Sequence, residues 1–237
     1  MYRSPRFLPA LAAVALAAAV GACGSDDSNE SATLPTAACD AYSTIGAAMF
    51  GDPSGVPDAA VTLASDAPEE LREAAVTYGN TFTAAFDGDE AAMESPEFAA
   101  AAEQLGAAAY ETCDSVEQLE VSGIDFGFEG LPEEVDAGRV AIRFTNDTAA
   151  GEQHELVLMQ KADGVTETAA ELLELPEEEL MSKVVPVAVV FADEQGGQSA
   201  SLVDLQPGSY VAICMIPTGG EGPPHAMNGM IADLEVV

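Results

Sequence analysis

The fold is decided by "PGSYVAICMIPTGGEGPPHAMNGMIADLEVV", residues 207–237. After a Pro-Gly turn, "GSYVAICMI" (208–216) is a β-branched and aromatic run of strand length, and "MIADLEVV" (230–237) is another. A Gly/Pro-rich loop joins them. At its ends it collects a thiol (Cys214), an imidazole (His225) and three thioethers (Met215, Met227 and Met230). The whole chain has only two histidines, so one placed in this company needs a reason.

Upstream the same texture continues. "GRVAIRFTN" (138–146) places Val140, Ile142 and Phe144 on one strand face. "HELVLMQ" (154–160) and "VVPVAVVF" (184–191) are further strands, and "TETAAELLELPEEELM" (166–181) reads as a helical insertion between them. Turns fall at Gly130–Pro132 and Ala137–Gly138. Short strands broken by Gly/Pro turns predict a β-sandwich over residues 121–237.

Residues 37–117 differ in kind: they are alanine-rich with helical periodicity. Leu71, Ala75, Tyr78 and Phe82 recur every three or four residues behind a start signal of Asp66, Pro68 and Glu69, with Asp66 and Glu69 at capping-box spacing. Ser95 and Pro96 open another helix, and Phe98, Ala102, Leu105 and Ala109 form its stripe. One helix runs through Tyr42, Ile45 and Met49, and a short one is expected in "PDAAVTLAS" (57–65). The fold class is therefore α+β as two domains, a small N-terminal helical bundle followed by the sandwich.

The chain begins with a basic "MYRSPR", an apolar stretch over residues 7–22 and then "VGAC" (20–23). This resembles the signal peptide and lipobox of bacterial lipoproteins, which implies removal of residues 1–22 and lipidation of Cys23. That places the protein on the extracytoplasmic face of a cell membrane. Residues 23–36 are mostly polar and acidic, and read as a flexible tether.

Three cysteines remain. Cys39 and Cys113 flank the helical segment, and an exported location permits a disulfide between them. Such a pair meets only if the number of antiparallel helices is even, which favours four. Cys214 is then left as a free thiol, an intermolecular partner or a metal ligand.

Of 237 residues, 7 are Lys or Arg and 41 are Asp or Glu. Loss of residues 1–22 removes Arg3 and Arg6 and no acid, leaving five bases against 41 acids, a net −36. Such a charge repels phosphates and excludes a nucleic-acid partner. It favours solubility, cations and basic protein surfaces.

"FTNDTAAGEQHEL", "PGSYVAIC" and "HAMNGMIADLEV" together resemble the cupredoxins, the plastocyanin-like blue-copper sandwiches. The resemblance implies a mononuclear copper site of His154, Cys214, His225 and Met230, serving electron transfer or copper handling. Met227 is a second candidate for the axial place. Thiolate and thioether suit copper(I), and imidazole suits both oxidation states. Ten residues separate Cys214 from His225, where the family usually has two to four, so the loop must double back. Glu155 stands where the family often has asparagine.

The other reading is a metal-free cupredoxin-like lipoprotein that acts as a binding or scaffolding module, its helical half docking to a scaffold partner; the copper reading implies a redox partner in its place. An enzyme is not expected. The family's oxidases hold further copper mainly with histidines, and none remains after His154 and His225.

Overall fold

The structure is a computed structural model and describes residues 32–193 and 195–237. The expected signal peptide, the expected lipidation site Cys23 and most of the expected tether lie outside the described residues. The last residues of the tether are packed: Leu34 is buried, and its N–H donates to Thr112 Oγ1 at 3.0 Å.

Four α-helices come first: α1 (Thr36–Ala47), α2 (Val56–Asp66), α3 (Arg72–Phe86) and α4 (Pro96–Thr112). Ser95 caps α4, accepting the Phe98 N–H at 3.3 Å, with Pro96 in the first turn. The Asp66–Glu69 capping box does not form. Pro68 pushes the preceding Ala67 out of the helical region, to ψ 138°, so α2 ends at Asp66. A 3-10 turn over Glu69–Leu71 then leads into α3, which has no side-chain cap.

Ala75, Tyr78 and Phe82 lie on the buried face of α3, and Leu71 of the preceding turn is buried beside them in the same cluster. Tyr78 meets the rings of Tyr42 and Phe82 at 5.2 and 4.8 Å. With an even number of helices, the end of α4 returns to the start of α1. Cys39 and Cys113 are bonded there, with an S–S distance of 1.99 Å.

The chain then enters strands β1 (Glu117–Ile124), β2 (Gly127–Glu129), β3 (Glu134–Val135), β4 (Gly138–Asn146), β5 (His154–Lys161), β6 (Val184–Ala192), β7 (Gln198–Leu205), β8 (Gly208–Ile213) and β9 (Ile231–Val236). They make two sheets, ordered β2-β1-β4-β7 and β3-β9-β8-β5-β6. The pairs β1–β4 and β3–β9 are parallel, and the rest are antiparallel. Val121, Val140, Ile142 and Phe144 from the first sheet face Leu156, Leu158, Tyr210 and Leu234 from the second. Cys214 and Met230 belong to this same core.

Both outer faces are covered. Ala141, Ala200 and Leu202 of the first sheet share one apolar cluster with α1 to α4. The approach is close: a Cβ on Gly106 of α4 would lie 2.5 Å from the Ala200 carbonyl oxygen. The Tyr42 hydroxyl donates to that same oxygen at 2.9 Å. On the second sheet, Ala169 and Leu172 of α5 (Ala169–Leu173) pack with Val157, Met159, Val211 and Ile213, and α6 (Glu177–Lys183) follows.

Four of the five basic residues beyond residue 22 sit where elements meet. Arg139 binds Asp40 of α1 at 2.9 Å and Asp204 of β7 at 3.5 Å. Arg143 pairs with Glu111 and Glu120 and lies 3.9 Å above the Tyr110 ring. Lys161 binds Asp233 at 2.6 Å, and Lys183 binds Glu167 at 2.8 Å. Half-exposed pairs contribute roughly 0–1 kcal/mol each, so they fix register more than they stabilise.

Candidate metal centre

His154, Cys214 and Met230 all stand at strand ends of the second sheet. His154 opens β5, Cys214 follows β8 and Met230 precedes β9. His225 opens a 3-10 turn, His225–Asn228, in the connection between β8 and β9.

The ten-residue loop does double back. Pro217 and Pro224 form an antiparallel bridge, and the Thr218 N–H donates to the Pro223 carbonyl at 2.9 Å. Gly219 and Gly220 make the reversal at φ 62° and 81°, a region that disfavours side chains. The His225 N–H then reaches the Ile216 carbonyl at 2.9 Å, and the Ala226 N–H reaches that of Cys214 at 3.0 Å. Met230 is tied to both neighbours: its N–H donates to the His225 carbonyl at 3.1 Å, and its carbonyl accepts the Cys214 N–H at 3.2 Å.

The result is a buried triangle of donors. Cys214 Sγ lies 3.5 Å from His225 Nδ1 and 4.0 Å from His154 Nδ1, and the two Nδ1 atoms are 3.1 Å apart. A point equidistant from three atoms so spaced lies about 2.1 Å from each, within the ~2.0–2.3 Å of metal–imidazole and metal–thiolate bonds. Cys214 and His225 have no exposed surface, and His154 has 1%. The residues therefore fit a mononuclear metal of this size.

Of the two candidate axial sulfurs, Met230 is fully buried and Met227 is exposed. Gly123 of β1 leaves room for Met230: a Cβ there would lie 3.1 Å from Met230 Cε, 3.1 Å from His154 Cβ and 2.8 Å from Phe144 Cζ.

Burial pushes the Cys214 thiol above its ordinary 9.0, while the N–H groups of Glu155 and Ile216 act the other way. Burial, and then the nearby His225, hold His154 below its ordinary 6.5. His154 Nε2 is buried with no hydrogen-bond partner among the described residues.

Around this triangle stand residues that the sequence did not single out. Glu152, from the loop before β5, places Oε2 2.6 Å from His225 Nε2 and accepts the Gly219 N–H on the same oxygen at 3.1 Å. Those two contacts, Gly219 first, hold its carboxyl below the usual range. Phe126 stands edge-on to the His225 ring at 5.4 Å. Glu155 does not leave the asparagine's place empty: its Oε1 accepts the Met215 N–H, next to the thiol, at 3.0 Å. No sequence signal separated Glu152 from the many other acids, because its role depends on where the distant Gly219 and His225 come to lie.

No family model matches the chain, and no curated protein matches it. Solved structures do. The reduced auracyanin of the photosynthetic bacterium Roseiflexus castenholzii is 19% identical, at TM-score 0.35, over 52% of this chain and 98% of that one. Auracyanin A of Chloroflexus aurantiacus, a "blue" copper protein, is 22% identical, at TM-score 0.31, over 51% of this chain and 98% of that one. Auracyanin B is 19% identical, at TM-score 0.34, over 52% of this chain and 91% of that one. The strand order and the donor triangle described above are independent of these likenesses.

Proposed function

We propose that this protein carries one mononuclear copper, held by His154, Cys214 and His225 with Met230 as the weaker axial donor, and that it transfers electrons or handles copper at the cell envelope. The carrying observation is the buried triangle, whose centre lies about 2.1 Å from all three donors, a metal-bond distance. The donor types favour copper over zinc. A thioether is not among zinc's usual ligands, whereas two imidazoles, one thiolate and a distant methionine suit the copper couple.

Bound copper would supply a one-electron couple. The chain's own part is to hold the donors still and dry. Backbone bonds join Cys214 to Ala226 and Met230, and Met230 to His225, so the ligands share one frame. A frame that does not move between oxidation states keeps the reorganisation on electron transfer small. With both histidines in one site, none remains for the second, histidine-held copper of an oxidase, and a carrier role fits better than catalysis.

In this reading Cys23 carries lipid and anchors the chain on the extracytoplasmic face, through the tether. A Cys23→Ser variant should leave the membrane fraction, and retention there like the wild type would sink the anchor. The copper reading is tested by titrating the metal-free protein with copper(II) and following visible absorption. One equivalent should develop an intense thiolate-to-copper band, and Cys214→Ala should lose it. A wild type that takes up no copper would leave a metal-free binding module.

A further inference from the structure

We infer that Glu152 is the positioning residue of this centre: its carboxylate fixes which nitrogen of His225 faces Cys214 and pins the ten-residue loop that carries His225. The inference deepens the copper reading and rests on it for its electrochemical part only.

Two contacts converge on one oxygen. Glu152 Oε2 lies 2.6 Å from His225 Nε2, and His225 has no exposed surface. A carboxylate in that place accepts a hydrogen bond from Nε2–H, which keeps the proton on Nε2, so the Nδ1 lone pair is left facing Cys214 Sγ and His154 Nδ1, at 3.5 and 3.1 Å. The same oxygen accepts the Gly219 N–H at 3.1 Å, at the left-handed reversal of the loop. That loop is the chain's departure from the short spacing of its resemblance, and it needs an outside tether. Its own bonds, Pro217–Pro224 and Thr218–Pro223, hold its two arms to each other, Met215 N–H ties its base to Glu155 at 3.0 Å, Asn228 Nδ2 reaches Thr218 Oγ1 at 2.8 Å, and Glu152 ties the Gly219 reversal itself.

Glu152 is itself held. Asn146, fully buried at the end of β4, donates from Nδ2 to the Glu152 carbonyl at 2.7 Å and to the Ala192 carbonyl at 3.4 Å. Its Oδ1 accepts the Thr148 N–H at 3.2 Å. Asn146 thus sets the loop, the loop sets Glu152, and Glu152 sets His225. A side chain only solvating a surface turn would need none of these links.

The test compares wild type with Glu152→Gln and Glu152→Ala. Glutamine keeps a side-chain oxygen for both N–H groups and loses only the charge; alanine loses both. In the metal-free protein, near neutral pH, nitrogen NMR of His225 should show the Nε2–H tautomer in wild type and Glu152→Gln, and a mixture in Glu152→Ala. Amide exchange at Gly219 should quicken at least tenfold in Glu152→Ala alone. With copper, Glu152→Gln should raise the midpoint potential, because a negative charge favouring copper(II) is gone. Glu152→Ala should bind copper roughly 10–100-fold more weakly, as is usual when a ligand histidine loses its outer partner.

An Nδ1–H tautomer in the wild type, or a Glu152→Ala protein with wild-type tautomer, exchange and affinity, overturns the inference. If Glu152→Ala does not fold, an unchanged potential in Glu152→Gln overturns the electrostatic role, and the wild-type tautomer still decides the positioning. A wild type with the expected tautomer that binds no copper sinks the copper reading and leaves the positioning role standing.

Discussion

Replacing Cys39 and Cys113 together by alanine should cost much of the stability of the helical layer and leave the metal site intact. The bond closes a loop across a sequence separation of 74. In the chain-entropy model, closing a loop of this length removes about 15 cal/mol/K from the unfolded chain, or about 4.5 kcal/mol at 25 °C. Native disulfides in exported domains deliver roughly 2–5 kcal/mol on removal. For a chain of this size each kcal/mol shifts the midpoint by roughly 2–4 °C, so the midpoint of thermal unfolding followed by circular dichroism should drop by about 4–20 °C. The structure adds a second condition. The helices cover the outer face of the first sheet, whereas His154, Cys214 and Met230 stand at strand ends of the second. The copper spectrum of the double variant, taken well below its midpoint, should therefore match the wild type. A midpoint that falls by less than about 3 °C would refute the entropic reasoning. An altered copper spectrum would refute the separation of layer and site.

Other expectations follow from the site's surroundings. Gly123→Ala forces a methyl against Phe144, His154 and Met230, all buried, and should cost about 1–3 kcal/mol in denaturant unfolding while changing the copper spectrum. Met230→Leu should keep the thiolate-to-copper band and shift the potential, whereas Met227→Leu, at an exposed position, should change neither. The metal-free protein should lose stability on both sides of neutrality. As pH falls below 6.5 the unfolded chain gains a proton at His154 that the folded chain resists, and as pH rises above 9.0 the unfolded chain loses the Cys214 proton that the folded chain keeps. Cys214→Ser should remove the part of the alkaline loss that begins near pH 9.0, as should copper, because the bound form is already the thiolate, and should leave the loss above pH 10.0 from Tyr42 and Tyr78, whose hydroxyls burial also raises; melting curves across pH read both.

Much of this was legible in the sequence because local rules happened to agree with the fold. Val140, Ile142 and Phe144 alternate because one face of β4 meets the sandwich core, and the predicted span 138–146 is the observed one. The even helix count followed from Cys39 and Cys113. Other parts were not legible. β7 (Gln198–Leu205) was not foreseen, because it buries Ala200 and Leu202 under the helices and Val203 and Leu205 in the sandwich, which blurs the period of two. The capping box expected at Asp66 does not form because Pro68 forces Ala67 into an extended conformation between its two members. At the site, the donor types and their order were visible, and so was the need for the loop to fold back. Glu152 was invisible, since one acid among 41 is distinguished only by what the loop brings to it.

Trigonal coordination of one copper by these three side chains is tested by X-ray absorption of the copper-loaded protein. One sulfur and two nitrogen neighbours are expected nearest the copper, all within about 2.0–2.3 Å, with the sulfur lost in Cys214→Ala. A first shell of oxygen and nitrogen alone in the wild type, unchanged by Cys214→Ala, would contradict it.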